Sequence, residues 1–189
     1  MKQRLLLTLC AFTLLGLSLP AAQHDPTVGG AAMYPTKDIV DNAVNSADHT
    51  TLVAAVKAAG LVDTLKGPGP FTVFAPTNEA FAKLPAGTVD NLLKPGNKDM
   101  LVKTLTYHVV AGKLSTSDIK KMIKEGHGKA ELKTVSGGTL TAMDEGGKIV
   151  LQDEKGGSST ITIPNVYQSN GVIQVVDMVL LPNWLLRDS

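Results

Sequence analysis

The spacing of apolar residues changes character along the chain. The first half carries them at the three- and four-residue intervals of a helix face, and the second half in short β-rich runs punctuated by glycine. In the first half, Thr36 is placed to cap a short helix over Lys37 to Ala43, and Ser46 or Asp48 a second that runs to Ala59. Leu52, Val53 and Val56 form its apolar stripe, and Gly60 supplies the left-handed residue on which helices often end. Phe71-Thr72-Val73-Phe74, bounded by Gly-Pro pairs and Pro76, predicts a buried strand. Thr77 then caps a helix whose first turn carries Glu79, suited to the positive helix end, and whose Phe81 and Leu84 turn inward. Two more helices are expected at Gly87 to Leu93 and Asn97 to Thr106, and Ser115 or Ser117 opens a last one that Gly126-His127-Gly128 breaks.

Beyond that point the pattern predicts strands at Glu131 to Val135, Thr139 to Met143, Lys148 to Gln152, Thr160 to Ile163 and Gly171 to Val176. Gly137-Gly138, Gly146-Gly147 and Gly156-Gly157 fall between them. Diglycine supplies the positive φ of tight hairpins, so an antiparallel meander is expected. No Pro- or Ser-rich linker separates the halves, which points to one α+β domain.

The N-terminus alters the accounting. Lys2 and Arg4 precede an uncharged, leucine-rich run to Leu19, and Pro20-Ala21-Ala22 stands before polar Gln23. Charge, apolar core and small residues in that order predict a signal peptide over 1–22, too short for the ~20-residue apolar run of a membrane-spanning helix. Cys10 lies inside this leader, behind a bulky Leu9 and too early for lipoprotein processing. The expected mature chain therefore has no cysteine, no disulfide framework and no thiol chemistry, and depends on its core. Residues 23–35, with Gly29-Gly30-Ala31-Ala32, are expected to be a flexible spacer, 36–183 the folded domain and 184–189 a tail. The leader holds two of the 18 basic residues and none of the 17 acidic ones, which leaves 16 against 17, a net charge of −1. That balance gives no electrostatic footprint for nucleic acid.

Three segments in this order resemble the fasciclin-like domain family, in particular its single-domain secreted bacterial branch. They are Phe71 to Phe81, reading FTVFAPTNEAF; Tyr107-His108 after a helix; and Asn170 to Asp177, reading NGVIQVVD, continuing to Leu180-Leu181-Pro182. The set spans about Asp38 to Pro182. The resemblance implies a fasciclin-like fold, a two-sheet β-sandwich or wedge with several helices in the N-terminal half.

Within the signatures, Phe74, Ala75, Pro76, Thr77, Asn78 and Phe81, with Asn170, Gly171, Val172, Ile173, Val176 and Asp177, are expected to be structural, because an apolar run flanked by turn residues is core material. In animal relatives a Tyr-His element is tied to integrin and cell binding, so Tyr107 and His108 are by resemblance the candidate partner-contacting residues; the competing reading is that the histidine bonds backbone inside the fold. A second animal motif, an acidic segment before Asn-Gly-Val, is replaced here by Ile163-Pro164-Asn165-Val166-Tyr167-Gln168-Ser169, which removes the reason to expect animal integrins.

Catalytic constellations are not recognisable. His24, His49, His108 and His127 are scattered singly, without metal-ligand spacing, and no Gly-x-Ser-x-Gly elbow or phosphate loop is present. Asp144-Glu145 and Asp153-Glu154 flank hairpin turns and are expected to be solvated. The expectation is a non-catalytic module without cofactor or metal that adheres to a cell-surface or extracellular protein, polysaccharide or other fasciclin-like domain outside the cytoplasm. The alternative is a soluble periplasmic binder of a small apolar ligand, held between helices and sheet.

Overall fold

The computed structural model describes residues 25–183; the expected leader (1–22) and tail (184–189) lie outside the described residues. A small hairpin of β1 (Thr27–Val28) and β2 (Ala31–Ala32) precedes helices α1 (Ile39–Ala43), α2 (Thr50–Ala59) and α3 (Val62–Lys66). Strand β3 (Phe71–Pro76) leads into α4 (Asn78–Ala82), α5 (Thr88–Leu92) and α6 (Lys98–Tyr107). After β4 (Val109–Ala111) and α7 (Thr116–Glu125) come β5 (Lys129–Lys133), β6 (Thr139–Glu145), β7 (Lys148–Gln152), β8 (Ser158–Gln168) and β9 (Gly171–Val176).

The seven longer strands are ordered β4-β3-β9-β8-β7-β6-β5. From β5 to β9 each strand pairs antiparallel with the next, as a meander should. β3 breaks that pattern by running parallel to β9 and antiparallel to β4. β8 is far longer than the four residues expected, because its pairing with β9 shifts register between Ile161 and Ile163 and again between Ile163 and Val166. Pro164 and Asn165, the latter at φ 57°, sit inside that irregular stretch. A bulge bends the strand, so its two ends serve two sheet halves. The outer strands then meet: Val110 bridges Thr134, and the Val135 N–H donates to the Val109 carbonyl at 2.8 Å.

This wrapping creates two cores. Side chains alternate across a strand, and on β3 Val73 and Ala75 pack against the helices while Phe74 points into the other core. On β9, Ile173 and Val175 take the helical side and Val176 the inner one, so every residue of that strand is buried. The inner core is closed by α7 through Ile119 and Ile123, with Leu132, Leu140 and Leu151 from the meander. Ser115 opens that helix with a reciprocal cap: its hydroxyl accepts from the Asp118 N–H, and the Asp118 carboxylate accepts from the Ser115 N–H.

Several local expectations change. Asp38, not Thr36, caps α1, and its carboxylate accepts from the Asp41 N–H. Neither Ser46 nor Asp48 caps α2, which starts at Thr50 after a 3-10 turn. The cap comes instead from Asn78, whose Oδ1 accepts from the Thr51 N–H at 3.0 Å while its Nδ2 donates to the Ala47 carbonyl at 2.8 Å. Of the three glycine pairs only Gly146-Gly147 has positive φ at both residues, as a two-residue hairpin requires; Gly137 and Gly156 use it singly. Residues 27–33 are not a loose spacer, because Val28 and Met33 are buried in the helical core.

Candidate functional site

Tyr107 ends α6 and His108 follows it as the C-terminal cap. The helix-to-strand junction turns the tyrosine into the inner core, where it is fully buried, and leaves the histidine 3% exposed. The Tyr107 hydroxyl donates to the Thr139 carbonyl at 2.9 Å and accepts from the Glu154 N–H at 3.2 Å. Burial pushes its pKa up to about 12. His108 Nε2 accepts from the Leu180 N–H at 3.0 Å, so the ring proton lies on Nδ1, which donates to the Thr104 carbonyl at 2.9 Å. Burial lowers its pKa to about 4, against weaker opposing effects of the Thr104 backbone and the Asp153 charge. The ring is neutral at physiological pH and both nitrogens are satisfied. The folded domain presents neither residue to a partner.

His108 is one of four side chains that hold the segment after β9. Leu180 N–H goes to His108, Leu181 N–H to Asp153 at 3.0 Å, Asn183 N–H to Glu154 at 3.4 Å and Met178 N–H to Ser159 at 3.0 Å. Asp153 departs from its expected solvation, being 8% exposed and also accepting from the Lys155 and Gly157 amides, whereas Glu154 is exposed as expected while it bonds. Glu154 further accepts from the Thr139 N–H. Asp144 follows the expectation more closely, part-exposed beside Lys120.

The signature residues serve as fasteners. Thr77 accepts from the Ala80 N–H and caps α4. Asn170 reaches α1 and α3 together: Oδ1 accepts from the Ile39 N–H at 3.1 Å, and Nδ2 donates to the Leu65 carbonyl at 2.7 Å. At Gly171 a Cβ would lie 2.1 Å from the Phe71 carbonyl oxygen, so only glycine permits the strands to approach. Asp177 accepts from the Thr160 N–H at 2.7 Å. Phe74, Val172 and Val176 are wholly buried, with Ala75 and Ile173 nearly so, and Phe81 packs part-buried on the helical core.

The exposed chemistry lies elsewhere. Tyr34 and Tyr167 are 43% and 41% exposed. Each carries a lysine ammonium against its ring, Lys37 at 5.1 Å and Lys113 at 5.0 Å from the centroid. Neither tyrosine belongs to a signature, and a lone tyrosine in a sequence gives no sign that its ring will face solvent. Among the described residues, no group of three or more His, Cys, Asp or Glu side chains is arranged to hold a metal ion, and no helix is long and apolar enough to cross a membrane.

A cavity of about 80 Å³ lies between the helical layer and the sheet. Its walls are almost wholly apolar and include Val28 and Met33 of the N-terminal hairpin, Val40, Leu52, Leu105 and Ile173. His49 is on its wall, 3% exposed, with Nδ1 2.9 Å from the Ser46 hydroxyl. Desolvation lowers the pKa of this ring, which keeps it neutral.

Comparison with known proteins places these features. The family model for the Fasciclin domain matches residues 47–182. Protein sll1483 of Synechocystis is 44% identical over 164 residues, covering 87% of this chain and 84% of the relative. The immunogenic protein MPB70 of Mycobacterium bovis is 34% identical, covering 85% and 78%, and the cell surface glycolipoprotein MPB83 of the same species is 34% identical, covering 88% and 70%. Among solved structures, the FAS1 domain pair of the insect cell adhesion molecule fasciclin I superposes with a TM-score of 0.63 at 19% identity, over 79% of this chain. The chain spans about half of that domain pair, 52% of its length.

Proposed function

The chain belongs to the fasciclin domain family, and from that premise we propose that it is an exported, non-catalytic adhesion module that binds a surface protein, a polysaccharide or another fasciclin-like domain. The observation that carries the proposal is the family match over 47–182 together with a relative named as a cell surface glycolipoprotein. The leader-like N-terminus supports export, to the periplasm, the cell surface or the medium. Contact is assigned to exposed residues, with Tyr34 and Tyr167 foremost, since tyrosine joins a large apolar ring to a hydrogen-bonding tip. Tyr107 and His108 act behind the surface, Tyr107 by joining Thr139 to Glu154 and His108 by holding Leu180 in place.

The test is attachment of beads carrying residues 23–189 to cells and to isolated surface polymer. Wild type is expected to attach, Tyr34→Ser with Tyr167→Ser to lose most of that attachment, and folded Tyr107→Phe to keep it. Absence of attachment by the wild type sinks the adhesion reading. Undiminished attachment by the double variant removes the two tyrosines from the contact.

A second reading has its own observation, the apolar cavity beside His49. A largely apolar cavity with a few polar residues on its wall is the form that small-ligand sites take. On this reading the domain holds a small apolar molecule between helices and sheet, and such a ligand raises the melting temperature because it binds only the folded chain.

A further inference from the structure

Side chains alternate along the meander, and one face of it lies outside both cores. On β7, Ile149 and Leu151 point into the inner core, so Lys148 and Val150 face the other way. Register carries that face across the sheet: Val150 stands opposite Met143 of β6 and Thr160 of β8, and Glu145 stands opposite Lys148. Val150 is only 7% exposed, yet it belongs to neither core. It lies in a groove of about 370 Å³ whose walls include Glu145, Lys148, Thr160, Thr162 and Asp177. Small-molecule sites span ~300–1,000 Å³.

Polar atoms stand open in this groove. Asp177 Oδ1 is occupied by the Thr160 N–H and the Ser159 hydroxyl, and the Thr162 hydroxyl donates to the Val175 carbonyl at 3.2 Å. The Glu145 carboxylate, the Lys148 ammonium and the Thr160 hydroxyl, by contrast, complete no hydrogen bond or ion pair among the described residues. None of the three is a buried group, so each reaches open space.

We propose that this groove binds a hexose unit of a neutral polysaccharide, with Glu145, Lys148 and Thr160 bonding its hydroxyls above Val150. The inference rests on the polysaccharide arm of the adhesion reading and gives it a site that neither exposed tyrosine lines. A carboxylate only accepts, an ammonium only donates, and a threonine hydroxyl does both. Neighbouring sugar hydroxyls donate and accept at once, and so satisfy all three. The C–H face of the ring matches the apolar side chain of Val150 beneath it.

Charge and backbone weigh against a polyanion and a peptide strand. Glu145 and Asp177 oppose Lys148, and Lys83 donates to the Asp177 carbonyl at 2.9 Å beside them. The groove is therefore close to neutral and lacks the cationic field on which a polyanion depends. β6, β7, β8 and β9, which supply the walls, are interior strands paired on both sides. No edge is open there for a peptide to join as a further strand.

The test titrates residues 23–189 with cellotetraose and maltotetraose, which are neutral, and with tetragalacturonate, which carries a carboxylate on each ring. NMR follows the backbone amides of Glu145, Lys148, Thr160 and Thr162 and the methyls of Val150. Expected are saturable shifts at these positions with at least one neutral tetrasaccharide, and weaker binding of the uronate. Glu145 and Lys148 are exposed, so Glu145→Ala and Lys148→Ala leave the fold in place, and each should weaken the neutral sugar about ten-fold, the worth of a hydrogen bond to a charged group. Tyr34→Ser with Tyr167→Ser should leave that affinity unchanged. If neither neutral sugar shifts these positions, if the uronate binds as tightly, or if both groove variants bind as wild type does, the groove assignment falls and bead attachment still decides the adhesion reading. Shifts of the same amides with protein concentration alone would give the face to a second copy of the chain and overturn the assignment as well. Wild-type beads that fail to attach while the titration succeeds would sink the adhesion reading and leave the sugar site standing.

Discussion

Replacing His108 with asparagine isolates the contact on which the C-terminal segment turns. The substitution removes Nε2 and leaves the Leu180 N–H without its acceptor 72 residues away, in a place water does not reach. An unmet buried donor costs about 1–3 kcal/mol. The edge-on packing of the ring against Tyr107, with centroids 6.5 Å apart at 87°, adds ~1 kcal/mol. At pH 7 the variant should be about 2–4 kcal/mol less stable than wild type. The pH dependence is the sharper test. His108 titrates near 6.5 when unfolded and at about 4 when folded, so between those values the unfolded chain binds more protons. Its stabilising contribution is therefore complete above about pH 6.5 and declines as pH falls toward 4, at ~1.4 kcal/mol per pH unit, or about 3 kcal/mol in all. Protonation puts a hydrogen on the atom that must accept from Leu180. Asparagine cannot titrate, so the stability difference between wild type and variant should shrink to within ~1 kcal/mol by pH 4. Urea unfolding followed by circular dichroism at pH 7, 6, 5 and 4 measures it. A difference that stays constant across the range refutes the assignment of a neutral, fully engaged His108; His49, whose pKa is also lowered, is present in both proteins and cancels.

Other perturbations test the same framework. Tyr107→Phe strips the hydroxyl shared by Thr139 and Glu154 and should cost about 1–3 kcal/mol in urea unfolding, without loss of bead attachment. Gly138→Ala should cost about 1–3 kcal/mol, because the new Cβ would meet Tyr107 Cε2 at 2.6 Å in a packed core; an unchanged unfolding midpoint would show the ring can yield. Met33→Ala should cost about 2–5 kcal/mol by thermal melt, as expected of a buried methionine and not of a spacer residue.

Local chemistry was legible along most of the chain, and long-range chemistry was not. Thr77 and Ser115 cap helices that start beside them, and Gly60 ends α2 at φ 74°, because in each case the partner lies within four residues. Asn78 and Asn170 read as a helix start and a turn. Their side chains instead complete helices 27 and 131 residues distant, and no periodicity encodes such a reach. The parallel pairing of β3 with β9 was hidden for the same reason, being a contact across nearly the whole domain. The N-terminal hairpin was missed because Gly29-Gly30 looks like slack; its order comes from two apolar side chains, Val28 and Met33, that find a core built by later residues.

The Tyr-His element shows how far a signature carries toward function. As a pattern it was visible, but exposure depends on Thr139, Glu154 and Leu180, none of them near it in sequence. Once those partners are in place, every signature segment turns out to fasten the fold: Phe74 and Val176 fill the inner core, Asn78 and Asn170 cap helices, and His108 holds the last segment. Residues occupied in this way cannot also distinguish one surface from another without giving up their internal bonds. Outside the signatures Tyr34 and Tyr167 stand half-exposed with lysines against their rings, and the proposed contact is assigned there for that reason. The signatures explain why the domain keeps its shape, and the proposal places contact on the surface outside them.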